Sequence, residues 1–164
     1  MITIDGATGS RYVQAEAPLI AESEDGLTLN LVVQLAGRAA EEAVIGSALA
    51  GSGNGEHSDL ARATDLAAHM ELAFGYGRTW PLLHRPAADR SSLLSYHPEI
   101  AERVHVRLEA AYSGALELME ANRESLEAIA EALLVSETLE GDELDALIAT
   151  IKPQLVLPDE EPST

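Results

Sequence analysis

The sequence predicts a mainly α protein: a bundle of about five helices preceded by a short N-terminal β-hairpin or edge ribbon. Three observations carry that expectation. Hydrophobic residues make up 46% of the 164 positions while aromatics make up only 4%. Ala, Leu and Val therefore supply most of the apolar mass, which suits close-packed helices better than a sheet core. Apolar residues recur at three- and four-residue spacing along several long stretches, and glycines and prolines cluster between those stretches.

At the start, Ile2-Thr3-Ile4 and Arg11-Tyr12-Val13-Gln14-Ala15 are short β-like runs separated by Gly6 and Gly9. They read as two strands of a ribbon that must lean on helices, because an isolated pair is marginal in water. A first helix is expected from Ser23 to Gly46, with Leu27, Leu31, Val32, Leu35, Ala39 and Val44 as its apolar positions. Gly37 lies inside it at a cost of roughly 1 kcal/mol against alanine, for which a close backbone contact with a neighbouring helix is the expected reason. Residues 46 to 57 are glycine-rich and aperiodic, so they form a loop. Ser58 then offers an N-cap to a helix through Phe74, with Leu66, Met70 and Ala73 on one side and Gly75 and Gly77 as its stop.

Residues 75 to 95, with Trp80, Pro81 and Pro86, carry no regular pattern. Pro98 suits the first turn of a helix running to about Glu120 through Ile100, Val104, Leu108, Ala111, Ala115 and Leu118. Asn122 is placed to cap the next helix, which carries Leu126, Ile129, Ala130 and Leu133. Glu140 and Glu143 frame a short last helix with Leu144, Leu147 and Ile148, and Pro153 ends it. Residues 1–152 thus form one helical domain, followed by an acidic, proline-rich tail at 153–164 that is expected to be disordered.

Charge and composition exclude several functions. The net charge is −18 with a single lysine, Lys152. Such a field repels phosphate backbones and anionic lipid, so nucleic acid and membrane surfaces are poor partners. No stretch approaches the ~20 apolar residues that cross a bilayer, which argues against direct membrane insertion. Without cysteine there are neither disulfides nor thiolate ligands, and any metal must be held by His, Asp or Glu. A cytoplasmic location fits these features most simply.

Asp59 is the residue that stands out for chemistry. It follows the glycine-rich loop and sits in the first turn of a helix, where an ionised carboxylate is stabilised by the helix end at about 0.3–1 kcal/mol. That role alone accounts for most first-turn aspartates; the functional reading is a zinc ligand oriented by the helix. His57, two residues away, is a second candidate donor. Two histidines on one helix chelate zinc when four residues apart, yet none of the five histidines has a histidine at that spacing, so H-E-x-x-H is absent from the sequence. His105 and Glu109 read as a surface pair. Glu41 and Glu42 are adjacent, point in different helical directions and do not form a carboxylate dyad. The glycine-rich loop lacks the G-K-[ST] ending of a phosphate cradle, and no serine lies in G-x-S-x-G. No catalytic residue is assigned.

Three blocks resemble the peptidase domain of the FtsH-type ATP-dependent zinc metalloproteases: G-R-A-A-E-E-A-V-I-G (37–46), S-D-L-A-R-A-T-D-L-A (58–67), and the stretch from L-E-A-A-Y (108–112) to G-D-E-L (141–144). The resemblance implies proteolysis of protein substrates by a ring-forming homo-oligomer, with ATP used by an ATPase module and zinc held by two histidines of H-E-x-x-H and a later aspartate. By motif position Asp59 resembles that aspartate, with Ser58 where the family usually has asparagine. It also implies that the N-terminal ribbon is the edge along which substrate lies. The chain then corresponds to a partial zinc-peptidase domain with an incomplete metal site, inactive by itself and cut just beyond the missing helix. Within such a protein it would lie in the cytoplasm or at the cytoplasmic face of the inner membrane. The alternative is a non-catalytic peptidase-like module for assembly or protein interaction.

Overall fold

The first helix, α1 (Glu24–Ile45), begins and ends where the sequence signals require. The Ser23 hydroxyl accepts a hydrogen bond from Gly26 N at 3.1 Å, and Glu24 and Asp25 occupy the first turn, where negative charge complements the helix dipole. Gly46 closes the helix in the left-handed conformation (φ 83°), its N–H donating to Glu42 O at 2.9 Å; only glycine takes that backbone without strain. The computed structural model describes residues 2–5, 9–11, 22–79, 81–85 and 97–152, with side chains from residue 22 onward. The remaining helices are α2 (Asp59–Leu72), α3 (Pro98–Ala121), α4 (Arg123–Ser136) and α5 (Gly141–Ile148). The expected mainly α architecture with five helices is therefore observed among the described residues.

The β structure is a small three-stranded sheet. Strand β1 (Ile2–Asp5) pairs antiparallel with β2 (Gly9–Arg11), Thr3 standing opposite Arg11. On its other side β1 pairs antiparallel with β3 (Thr138–Leu139), Ile2 opposite Leu139, which gives the order β2-β1-β3. The hairpin expected at the N-terminus is present, its second strand described over Gly9–Arg11 and meeting the expected run at Arg11; Tyr12 to Ala15 lie outside the described residues, as do Trp80 and the tail 153–164. Strand β3 was not anticipated. Its two residues are too few to leave a period-2 signal.

Two apolar clusters hold the helices. The larger is shared by α1 (Leu31, Val32, Leu35, Ala39), α2 (Ala63, Ala67, Ala68, Met70, Leu72) and α3 (Ile100, Val104, Ala111, Ala115). Alanines at so many of these positions let the helix axes approach closely, since the interaxial distance is set by the side chains between them. The smaller cluster consists of Leu133 of α4, Leu139 of β3 and Leu144 of α5. Val44, one of the apolar positions along α1, is exposed at the C-terminal end of that helix.

Gly37 corrects another expectation. It is exposed, and a Cβ built on it meets no atom within 4 Å, so no neighbouring backbone approaches it among the described residues. The close approach occurs instead at Gly77, which is buried beneath the end of α2 and where a Cβ would collide with the carbonyl oxygen of Glu71.

Candidate metal centre

Ser58 caps α2 as expected, its hydroxyl accepting from Ala61 N at 3.3 Å. Asp59 is the first residue of the helix, with 57% of its side chain exposed and one carboxylate oxygen 3.9 Å from Arg62 Nη1. Arg62 is itself largely exposed, so this pair is screened by water and contributes little to stability. As a donor, the Asp59 carboxylate suits a zinc ion: it is accessible, and the helix end supports its charge. As a set, the described residues do not fit zinc, because no group of three or more His, Asp or Glu side chains gathers where a metal could sit.

The histidines are placed elsewhere. His57 is exposed in the loop. The Nδ1 of His69 lies 2.7 Å from Asp65 O, and its ring packs against Phe74 at 5.7 Å between centroids. His84 Nδ1 lies 3.3 Å from Ala73 O. His97 lies beside Glu99, and His105 Nε2 lies 3.3 Å from Glu109 Oε1 on the exposed side of α3, the surface pair expected from their spacing.

Two polar networks flank α2, and sequence reasoning found neither. The first arises from the G-R-A-A-E-E block of α1. Glu41 Oε2 accepts from Leu49 N at 2.8 Å, and Arg38 Nη1 lies 3.4 Å from Ser52 Oγ, which in turn donates to Leu49 O at 3.1 Å. Glu42 points the other way and accepts from the Tyr112 hydroxyl of α3. Burial, and then the Glu42 carboxylate, push the Tyr112 phenol above its ordinary pKa. The adjacent glutamates thus have separate partners, as their helical directions required.

The second network has a buried centre, Glu71 and Arg107. Glu71 of α2, with 4% of its side chain exposed, receives Arg107 Nε at one oxygen and Arg103 Nε at the other, the latter at 3.1 Å. Arg107 also reaches Glu24 Oε1 at 2.9 Å and Tyr76 O at 2.7 Å. Burial works against the Arg107 charge, but the hydrogen bonds it donates to Glu71 and Glu24 outweigh that and hold the guanidinium above its usual pKa. The signal that could have found this network is helical spacing: Arg103 and Arg107 are four residues apart and share one face of α3. Nothing local pointed to Glu71 as their partner.

Comparison with known proteins gives the family. The model of Peptidase family M41 matches residues 7–147. The chain is 35% identical over 145 residues to the ATP-dependent zinc metalloprotease FtsH 1 of Sorangium cellulosum, covering 82% of this chain and 22% of that protein. It is 35% identical over 147 residues to FtsH 4 of Synechocystis sp., again covering 82% of this chain and 22% of that protein. To FtsH 2 of Sphaerobacter thermophilus it is 34% identical over 125 residues, or 75% of this chain and 19% of that protein. It spans about a fifth of the length of these relatives. The match runs through the helices that carry Glu41, Asp59, Glu71 and Tyr112, and on it the chain belongs to peptidase family M41, as a region of the peptidase domain of FtsH-type zinc metalloproteases.

Proposed function

We propose that the chain is part of an ATP-dependent zinc metalloendopeptidase that degrades proteins, and that Asp59 supplies one zinc ligand. The observation that carries this reading is an accessible carboxylate at the first residue of α2, inside a block matching relatives named as zinc metalloproteases. The remaining ligands and the ATPase module would come from polypeptide beyond this sequence, and the assembled protein would act as a homo-oligomeric ring on protein substrates. By itself the chain is inactive, because one carboxylate cannot hold zinc against hydration and no cluster of metal-binding side chains joins it among the described residues. The bound metal would activate water and polarise the scissile carbonyl; this chain's share is to orient one ligand. No described helix is long and apolar enough to cross a membrane, and a cytoplasmic site, or the cytoplasmic face of the inner membrane, is part of the same proposal.

The experiment is to join the chain to a segment carrying H-E-x-x-H and the ATPase module, then measure zinc content and chelator-sensitive casein hydrolysis. Asp59→Ala should lower both; wild-type values in that variant would remove Asp59 from the site. Chelator-sensitive hydrolysis by the isolated chain would overturn its assignment as inactive. A second reading, a non-catalytic assembly module, draws on the exposed Leu29 and Val33 of α1. It requires a defined oligomer of this chain without stoichiometric zinc, which light scattering and metal analysis decide; a monomer would count against it.

A further inference from the structure

We infer that Glu41, assisted by Arg38 and Ser52, is a positioning residue. It fixes the loop 46–57 through the Leu49 peptide, and the loop in turn sets where the first turn of α2 stands. The contacts run without interruption from one helix to the other. Glu41 Oε2 accepts the Leu49 N–H at 2.8 Å, while the Leu49 carbonyl accepts from Ser52 Oγ at 3.1 Å, so both sides of one peptide unit are held. Arg38 Nη1, one turn earlier on α1, lies 3.4 Å from the same hydroxyl. Ser52 belongs to a 3₁₀ turn, Ala50–Gly53. That turn lies against α2: a Cβ on Gly53 would stand 3.6 Å from Leu60 Cδ2, at the residue immediately after Asp59.

A glycine-rich loop needs such a restraint. Four glycines between 46 and 55 leave the chain with more backbone freedom than any other composition would. A free loop would loosen the start of α2, whose first turn is otherwise held by the Ser58 cap and by Leu60 and Ala63 against the core. Hydrogen bonds to an ionised carboxylate are the stronger kind, and Glu41 spends one on a backbone amide eight residues away rather than on a neighbouring side chain. Glu42 anchors α1 to α3 through Tyr112, so the base from which Glu41 reaches is itself tied to the core. The consequence for metal binding rests on the reading of Asp59 as a ligand; the restraint of the loop does not.

The test is amide hydrogen exchange on the chain as it stands, read at Leu49 and across the first turn of α2. Glu41→Ala should raise the Leu49 exchange rate by about tenfold, the factor expected for one charge-assisted hydrogen bond. Glu41→Gln keeps an oxygen that can accept the same N–H and should restore most of the protection. Ser52→Ala, which removes only a hydroxyl, should give a smaller increase in the same segment. Unchanged exchange in Glu41→Ala, or no rescue by Glu41→Gln, would overturn the inference. In the joined, zinc-binding protein, Glu41→Ala should weaken zinc affinity by about tenfold and Glu41→Gln much less; unaltered affinity despite a loosened loop would also overturn it. If Asp59→Ala leaves zinc affinity intact while the exchange results hold, the ligand assignment has failed and the loop restraint has not.

Discussion

The three-helix unit of α1, α2 and α3 and the C-terminal unit of α4, β3 and α5 are built on different principles. In the first, thirteen buried apolar residues, nearly half of them alanine, interlock along three helices, and a buried Glu71–Arg107 pair crosses the interface. In the second, three leucines form the buried cluster among the described residues, while Leu134 and Val135 of α4 are 77% and 85% exposed. What the C-terminal unit lacks in core it replaces with backbone ties. Strand β3 pairs with β1. Asn122, at the α3–α4 joint, donates to Lys152 O at 3.1 Å and to Leu118 O at 2.9 Å, and accepts from Lys152 N at 2.7 Å. Burial of a few hundred Å² at about 25 cal/mol per Å² cannot by itself offset the entropy of ordering some thirty residues. The lesson is that the part presenting Asp59 is held by packing, and the part after it by a handful of specific bonds.

The sharpest way to break this contrast is at Glu71. Glu71→Ala leaves the buried Arg107 without its main partner and should destabilise the three-helix unit by about 3–5 kcal/mol. Thermal unfolding followed by circular dichroism measures it, and a loss no larger than that of a surface substitution would show that packing alone suffices. In the C-terminal unit, Leu139→Ala removes the central member of the small cluster and should cost about 2–4 kcal/mol. Because that unit stands on few contacts, hydrogen exchange should rise throughout α4 and α5 while α3 stays protected. Equal loosening in both units would erase the distinction. Asn122→Ala should cost about 1–3 kcal/mol, since it removes three part-buried hydrogen bonds to Leu118 and Lys152.

Two smaller effects sharpen the picture of the first unit. Gly37→Ala fills empty space in mid-helix and should stabilise by about 0.5–1 kcal/mol; destabilisation would reveal a contact beyond the described residues. Tyr112 adds a pH dependence of stated sign. Its folded pKa is raised, so its contribution is complete below the unfolded value of roughly 10 and is lost as pH rises through the folded value. An ultraviolet titration should show one late-ionising tyrosine that Tyr112→Phe abolishes, and that variant should lose less stability than wild type at alkaline pH.

Much of this was legible beforehand. The Ser58 cap, the start near Ser23, the Gly46 stop and the Pro98 start were read from residue type, because such signals act on the nearest turn and need no distant partner. Asn122 shows where that logic fails. It stands at the N-cap position of α4, yet its side chain makes no cap bond and instead holds a backbone thirty residues away. Gly37 failed in the opposite sense, the pattern suggesting a neighbour where none lies within reach.

Local periodicity and end signals fixed the five helices, and the short motif around Asp59 marked the one carboxylate worth following, because both depend on residues a few positions apart. Only the tertiary structure decided that Glu41 would hold Leu49, that Glu42 would meet Tyr112, and that Glu71 would join Arg103 and Arg107. Those pairings follow from how three helices pack, and a charged side chain on a helix surface carries no local mark of which distant partner that packing will bring to it.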